Sequence, residues 1–200
     1  GPIAGTAQAV ASAAPHAEGT FGIANADDLY GPEALGKLAE ELNALGPDEH
    51  LIVGYHLTDT VITDDTVTRG VCQTDPDGYL EVVKELSVTR QPDGSFRAKP
   101  AVGEGEEFGL TGEEVVSMNL WGFSEGIFDD LERALSRFDP DTAPHAEGKP
   151  AELLLPDVVA RVAAAGLGRV RVVETKGRCI GLTHPEDVPL VRSIVAELRA

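Results

Sequence analysis

Cysteine is nearly absent: Cys72 and Cys179 are the only two among 200 residues. That is too few for a disulfide scaffold or a cysteine-built zinc site. Two free thiols suit a reducing compartment, and a cytoplasmic location is expected. Basic residues are also scarce, with 16 Lys plus Arg against 34 Asp plus Glu and a net charge of −18. This balance argues against sequence-independent nucleic-acid binding and against electrostatic attachment to an anionic membrane, since both need surplus cations. No apolar run is long enough for a membrane-spanning helix, so no membrane partner is expected. Methionine occurs once, as Met118, and the chain opens Gly1-Pro2-Ile3. A processed polypeptide, or a portion of a longer one, is expected. What remains is globular in balance, with 42% hydrophobic and 25% charged residues, enough for a single domain with a core.

Apolar periodicity predicts alternating helices and strands. Residues 5–14 read as a helix opened by a glycine, and 20–26 (TFGIANA) as a short buried strand ended by Asp27-Asp28. Gly31-Pro32 opens a helix whose Leu35, Leu38, Leu42 and Leu45 share a face. Residues 51–57 (LIVGYHL) read as a second buried strand. After a polar loop, strands at 68–74 and 79–89 flank the turn Asp75-Pro76-Asp77-Gly78, a hairpin signal. Residues 91–107 read as turn and loop, with Glu104 to Glu107 as a solvated acidic run. A strand follows at 114–123, then helices around Ile127–Leu135 and Pro156–Ala165. A strand at 169–174 and a last helix, capped by Thr183 and Glu186, complete the series. The pattern predicts an α/β fold with a mostly parallel sheet and helices on both sides. APHAEG occurs at 14–19 and 143–148 and reads as two similar connectors.

Chemistry-bearing residues cluster first at Asn25-Ala26-Asp27-Asp28. Carboxylates at the carboxyl end of a buried strand lie where open α/β sheets bind ligands, and they suit Mg²⁺. The competing reading is that they end the strand and cap the following helix. Gly5 and Gln8 form a second candidate: glycine permits close approach to the backbone, and a carboxamide can read a nucleobase edge. An ordinary helix start with a surface glutamine competes there. The histidines show no paired metal-ligand spacing, and His56 reads as a hydrogen-bonded core or rim residue. Ser12, Ser117 and Ser124 lack a nucleophile-elbow context. Trp121 and Phe123 read as packing residues, with an aromatic wall for a sugar ring as the alternative.

In order along the chain, GTAQAV, NADDLYG, VGYHL, TRGVCQTDPDGYL, VVKEL, VSMNLWGF and AELLLPDVV resemble the sugar-phosphate nucleotidyltransferases, or nucleotide-sugar pyrophosphorylases. The resemblance implies a Rossmann-like, GT-A-like three-layer sandwich with a mostly parallel sheet. It also implies Mg²⁺ dependence, with a nucleoside triphosphate and a sugar 1-phosphate as partners. Gly5 and Gln8 fall where that family contacts the nucleobase. Asp27 falls on its catalytic metal-binding aspartate, with Asp28 beside it as a second metal-ligand candidate. Gly70 and Glu85 match sugar-binding positions. Asn119 lies on the strand lining the sugar pocket, where the family more often has glycine.

Three departures accompany the resemblance. The family's glycine-rich loop with Arg and Lys has no counterpart before Gly5, so residues 1–200 read as a single partial domain lacking its first strand. Leu86 stands where a lysine usually follows the sugar-binding glutamate. Gly181 stands where many members carry a second metal-binding aspartate. An isolated chain of this kind is expected to be marginally stable and catalytically inactive, or completed by another polypeptide or a second copy. Two other functions are compatible with the same residues: a non-catalytic nucleotide- or sugar-sensing module, and a metal-dependent glycosyltransferase.

Overall fold

The computed structural model describes residues 5–61, 63–143, 151–181 and 188–198. The elements run α1 (Thr6–Ala11), β1 (Phe21–Ile23), β2 (Asp28–Leu29), α2 (Gly31–Leu42), β3 (Glu49–His56), β4 (Val67–Thr74), β5 (Leu80–Arg90), β6 (Phe96–Pro100), β7 (Phe108–Leu110), β8 (Val115–Phe123), α3 (Ile127–Arg137), α4 (Leu155–Ala164), β9 (Arg169–Thr175), β10 (Ile180–Gly181) and α5 (Val188–Leu198). The main sheet has the order β7-β6-β5-β4-β8-β3-β9, with β1 also paired to β8.

Strand alternation sorts the core into two layers. From β3, Leu51, Val53 and Tyr55 face one cluster, which takes Ala34 and Leu38 from α2. Ile52 points the other way, into a cluster with Trp121, Phe123 and the apolar faces of α1, α3 and α4. Helices therefore cover both faces, as expected. A third, smaller cluster seats Val191 and Ile194 of α5 against Ile180.

The expected mostly parallel sheet is corrected. Only β3 and β9 run parallel, while every other described pair in the main sheet is antiparallel. The cause is the spacing between elements. Tight turns join β4 to β5 and β5 to β6, and a turn of that length reverses the chain, whereas a parallel pair needs a long crossover. In the first turn, Asp75 Oδ1 accepts the Asp77 and Tyr79 N–H groups, both at 2.9 Å, and Gly78 adopts φ 85°.

Two further expectations change. The stretch read as loop after residue 91 contains β6, whose buried Phe96 and Ala98 alternate with exposed Arg97 and Lys99; the acidic run beyond it is exposed. The strand read at 20–26 is only three residues long and half-buried, because among the described residues it pairs with β8 alone. The cap at Thr183 and Glu186, His145, His184 and most of the second APHAEG copy lie outside the described residues.

Candidate functional site

One edge of β8 is shared by two strands. β4 pairs with it at Val116 and Ser117, and β1 pairs at Trp121, Gly122 and Phe123. Met118 to Leu120 lie between, paired with neither. Opposite them, the β3 register jumps from Ile52–Trp121 to Gly54–Ser117, so β8 bulges there. Bulges redirect side chains and often adjoin functional sites. Asn119 at the bulge has φ 57°, the left-handed region that favours glycine and tolerates asparagine. Asn119→Gly is expected to keep the fold within about 1 kcal/mol, whereas Asn119→Val costs about 1–3 kcal/mol. Urea unfolding checks both, and equal stabilities would remove the strain argument.

A cavity of about 660 Å³ opens where β1 ends and β4 begins. Its wall gathers Asn25, Asp27 and Asp28 after β1, Arg69 and Gly70 on β4, Glu85 on β5, Asn119 on β8, and the start of α4. The carboxylate pair, the glycine and glutamate of the hairpin, and the asparagine of β8 thus meet at one place despite their separation in sequence.

The two aspartates have different surroundings. Asp28 Oδ2 accepts Asn25 Nδ2 at 3.0 Å and lies 3.3 Å from the Tyr30 hydroxyl. The single Tyr30 proton has a closer acceptor in Met118 O, at 2.8 Å. Burial, and secondarily Asp28, hold the Tyr30 phenol well above its usual range. Asp28 also heads β2, where Gly181 is its direct cross-strand partner. Gly181, which has no side chain, therefore faces Asp28. Asp27 is exposed at the cavity wall. Among the described residues no group of three or more His, Cys, Asp or Glu side chains is placed to hold a metal ion. Mg²⁺ commonly uses one or two protein carboxylates and takes its remaining ligands from phosphate and water. Asp27 fits that mode, with Asp28 already engaged.

Gly70 and Glu85 are direct cross-strand partners. A Cβ on Gly70 would lie 2.9 Å from Glu85 Oε1 and 2.7 Å from Val83 Cγ1, so the absent side chain leaves room for the carboxylate. Glu85 is open to solvent through the cavity, yet surrounding protein raises its pKa by desolvation, with repulsion from Asp157 adding and Arg69 opposing.

Gly5 and Gln8 do not line the cavity, although Thr6, Ala9 and Val10 of the same segment do. Gly5 is buried with φ 90°, and a Cβ there would approach Leu153 O to 2.6 Å. Its conformation lets α1 dock against the segment before α4, where Ala7 N–H donates to Leu153 O and Leu155 N–H to Thr6 Oγ1.

Arg69 is the cavity residue that the sequence reading passed over. Its guanidinium donates from Nε to Thr60 Oγ1 at 3.1 Å, from Nη2 to Thr60 O at 2.6 Å and from Nη1 to Thr68 O at 2.8 Å. The signal was its position beside Gly70. Alternation along a strand assigns neighbours to opposite faces, which separates Arg69 from Gly70 when the strand is read alone.

Their surroundings disfavour the thiolate form of both cysteines. Burial pushes Cys72 and Cys179 each up to about 12, with Glu85 adding to the first and Asp28 to the second. Neither forms a disulfide. His56 lies outside the cavity lining, between Glu174 Oε2 at 3.1 Å and Glu113 Oε2 at 3.5 Å. Trp121 and Phe123 are fully buried, and Trp121 also lines the cavity.

No protein-family model matches the sequence, and no curated protein matches it. Among solved structures, one that matches is titled mannose-1-phosphate geranyltransferase, from Thermus thermophilus, with a TM-score of 0.37 and 14% identity. The match covers 86% of this chain and 49% of that one, so this chain spans about half the length of that structure. Among the described residues no helix is long and apolar enough to cross a membrane.

Proposed function

We propose that this cavity is the sugar-phosphate side of a nucleotidyltransferase site with Rossmann-like ancestry. The reaction is attack by an oxygen of a sugar 1-phosphate on the α-phosphorus of a nucleoside triphosphate. One P–O bond forms, the bond to the β-phosphate breaks, and a nucleotide sugar and pyrophosphate result. The observation that carries this reading is the meeting of Asp27, Gly70, Glu85 and Asn119, from four separate segments, on one cavity.

Each residue has a task that its surroundings suit. Glu85, seated over the bare Gly70 backbone, can accept hydrogen bonds from sugar hydroxyls. The Asn119 carboxamide is steadied by Trp121 Nε1, which donates to its Oδ1 at 3.4 Å. Asp27 would hold Mg²⁺, which when bound offsets charge on phosphate oxygens. Transfer of this kind depends on positioning and charge neutralisation more than on covalent participation by the protein. The nucleotide would lie toward α1, with Gly5 supporting that helix and Gln8 carried on it.

In the full-length protein, pyrophosphate release is expected from a nucleoside triphosphate plus a sugar 1-phosphate with Mg²⁺. Asp27→Ala is expected to lower it by at least about a hundredfold with the melting temperature unchanged. Retained turnover would remove Asp27 from the reaction. The engaged Asp28 and the bare Gly181 favour a second reading, a module that binds these ligands without turnover. Saturable binding without pyrophosphate release would establish it. Sugar transfer from a nucleotide sugar would instead indicate a glycosyltransferase.

A further inference from the structure

Among the described residues, Arg69 is the only lysine or arginine lining the cavity, alongside the carboxylates Asp27, Asp28 and Glu85. It forms no salt bridge with any of them: its three hydrogen bonds all go to neutral oxygens of Thr60 and Thr68. Thr60 is itself 2% exposed and donates from Oγ1 to Leu57 O at 3.0 Å. The guanidinium is thus clamped by a buried residue while its charge has no contacting counter-ion among the described residues. An arginine fork carries five N–H donors, so two remain after these contacts. A fixed, half-buried cation with spare donors at a cavity wall is suited to an oxyanion, which it can meet with parallel, charge-assisted hydrogen bonds. The surrounding carboxylates would repel an anion that lacked this contact.

We propose that Arg69 binds the phosphate of the sugar phosphate, with Glu85 taking sugar hydroxyls beside it. This inference rests on the sugar-phosphate reading of the cavity and adds the group that makes the site select a phosphorylated sugar over a neutral one. A purely structural Arg69, tying β4 to the turn at Leu57–Thr60, would affect the melting temperature without affecting phosphate recognition.

The test is ³¹P NMR titration of the chain with inorganic phosphate and with glucose 1-phosphate. Saturable perturbation of the inorganic phosphate signal is expected, together with competition by glucose 1-phosphate. Arg69→Met should weaken inorganic phosphate at least tenfold, and Arg69→Lys should weaken it less, because charge survives but the planar fork does not. Far-UV circular dichroism reports whether each variant folds; if Arg69→Met does not, Arg69→Lys and the competition on the unaltered chain decide. A folded Arg69→Met that binds phosphate as tightly as the unaltered chain overturns the proposal. So does the absence of saturable phosphate binding by the unaltered chain. The two readings fail separately. Glucose 1-phosphate binding that survives Arg69→Met but is lost in Glu85→Gln overturns the role of Arg69 and leaves the sugar-phosphate cavity standing. Loss of phosphate in Arg69→Met without any pyrophosphate release by the full-length protein leaves Arg69 as an anion-binding residue and removes the transferase.

Discussion

Gly70→Val is expected to remove sugar-phosphate binding, weakening it at least a hundredfold, while the sheet still forms. The Cβ alone would sit 2.7 Å from Val83 Cγ1 and 2.9 Å from Glu85 Oε1, closer than real carbon contacts come. The Glu85 end is a flexible side chain and can swing away, which is the movement that would empty the hydroxyl-binding position. Val83 is a branched side chain on the same strand and can give less. Gly70 is not in a left-handed conformation, so alanine carries no backbone penalty and offsets some of the crowding, by about 0.5–1 kcal/mol. Gly70→Ala should therefore cost about 1 kcal/mol or less in stability and about tenfold in affinity. Gly70→Val should cost about 1–3 kcal/mol, the usual range for an overpacked site. Calorimetric titration with a sugar 1-phosphate, read beside urea unfolding, separates the two effects. Binding by Gly70→Val equal to that of the unaltered chain would show that Glu85 need not lie over residue 70.

The elements legible in the sequence are those whose signal is local. Residues 51–56 lie in β3 because 51–55 are buried on both faces, and the hairpin formed because Asp75 and Gly78 suit its turn. The convergence of Asp27, Gly70, Glu85 and Asn119 was legible only through the order of the motifs, since no local pattern brings four segments together. Strand direction was not legible from burial. Apolar runs show that both faces of a sheet are covered, which antiparallel strands between two helical layers satisfy equally well. The direction lay in the connections, and the short turns at 75–78 and 91–94 dictate reversal. β6 was hidden by the Gly- and Glu-rich residues after it, although Phe96 and Ala98 alternate with Arg97 and Lys99. Arg69 was missed because its role depends on Thr60, nine residues earlier, and on the break between β1 and β4. Both are properties of the assembled sheet.

The second large effect concerns pH. Between pH 7 and pH 5 the chain is expected to lose about 2 kcal/mol of stability that a His50→Leu variant keeps. His50 is 1% exposed, lies against the Phe123 ring at 5.3 Å, and has a buried Nδ1 without a hydrogen-bond partner. Burial lowers its pKa from 6.5 to about 4, with Asp48 opposing weakly. The folded chain therefore refuses a proton that the unfolded chain accepts. Stability is intact above pH 6.5, falls as pH drops toward 4, and ceases to depend on this group below that. Each unit between the two values is worth about 1.4 kcal/mol, which sets a ceiling of about 3.5 kcal/mol. Glu85 and Asp130 act in the opposite direction, because burial raises both carboxyls and the folded chain takes up their protons first. For that reason the observable is the difference between the unaltered chain and His50→Leu, in which the carboxylate contributions cancel. Leucine also removes an unsatisfied buried nitrogen, so the variant should be no less stable than the unaltered chain at pH 7. Urea midpoints at pH 7, 6 and 5 measure the difference, and parallel curves for the two proteins would show that His50 is not the group that opens the fold to acid.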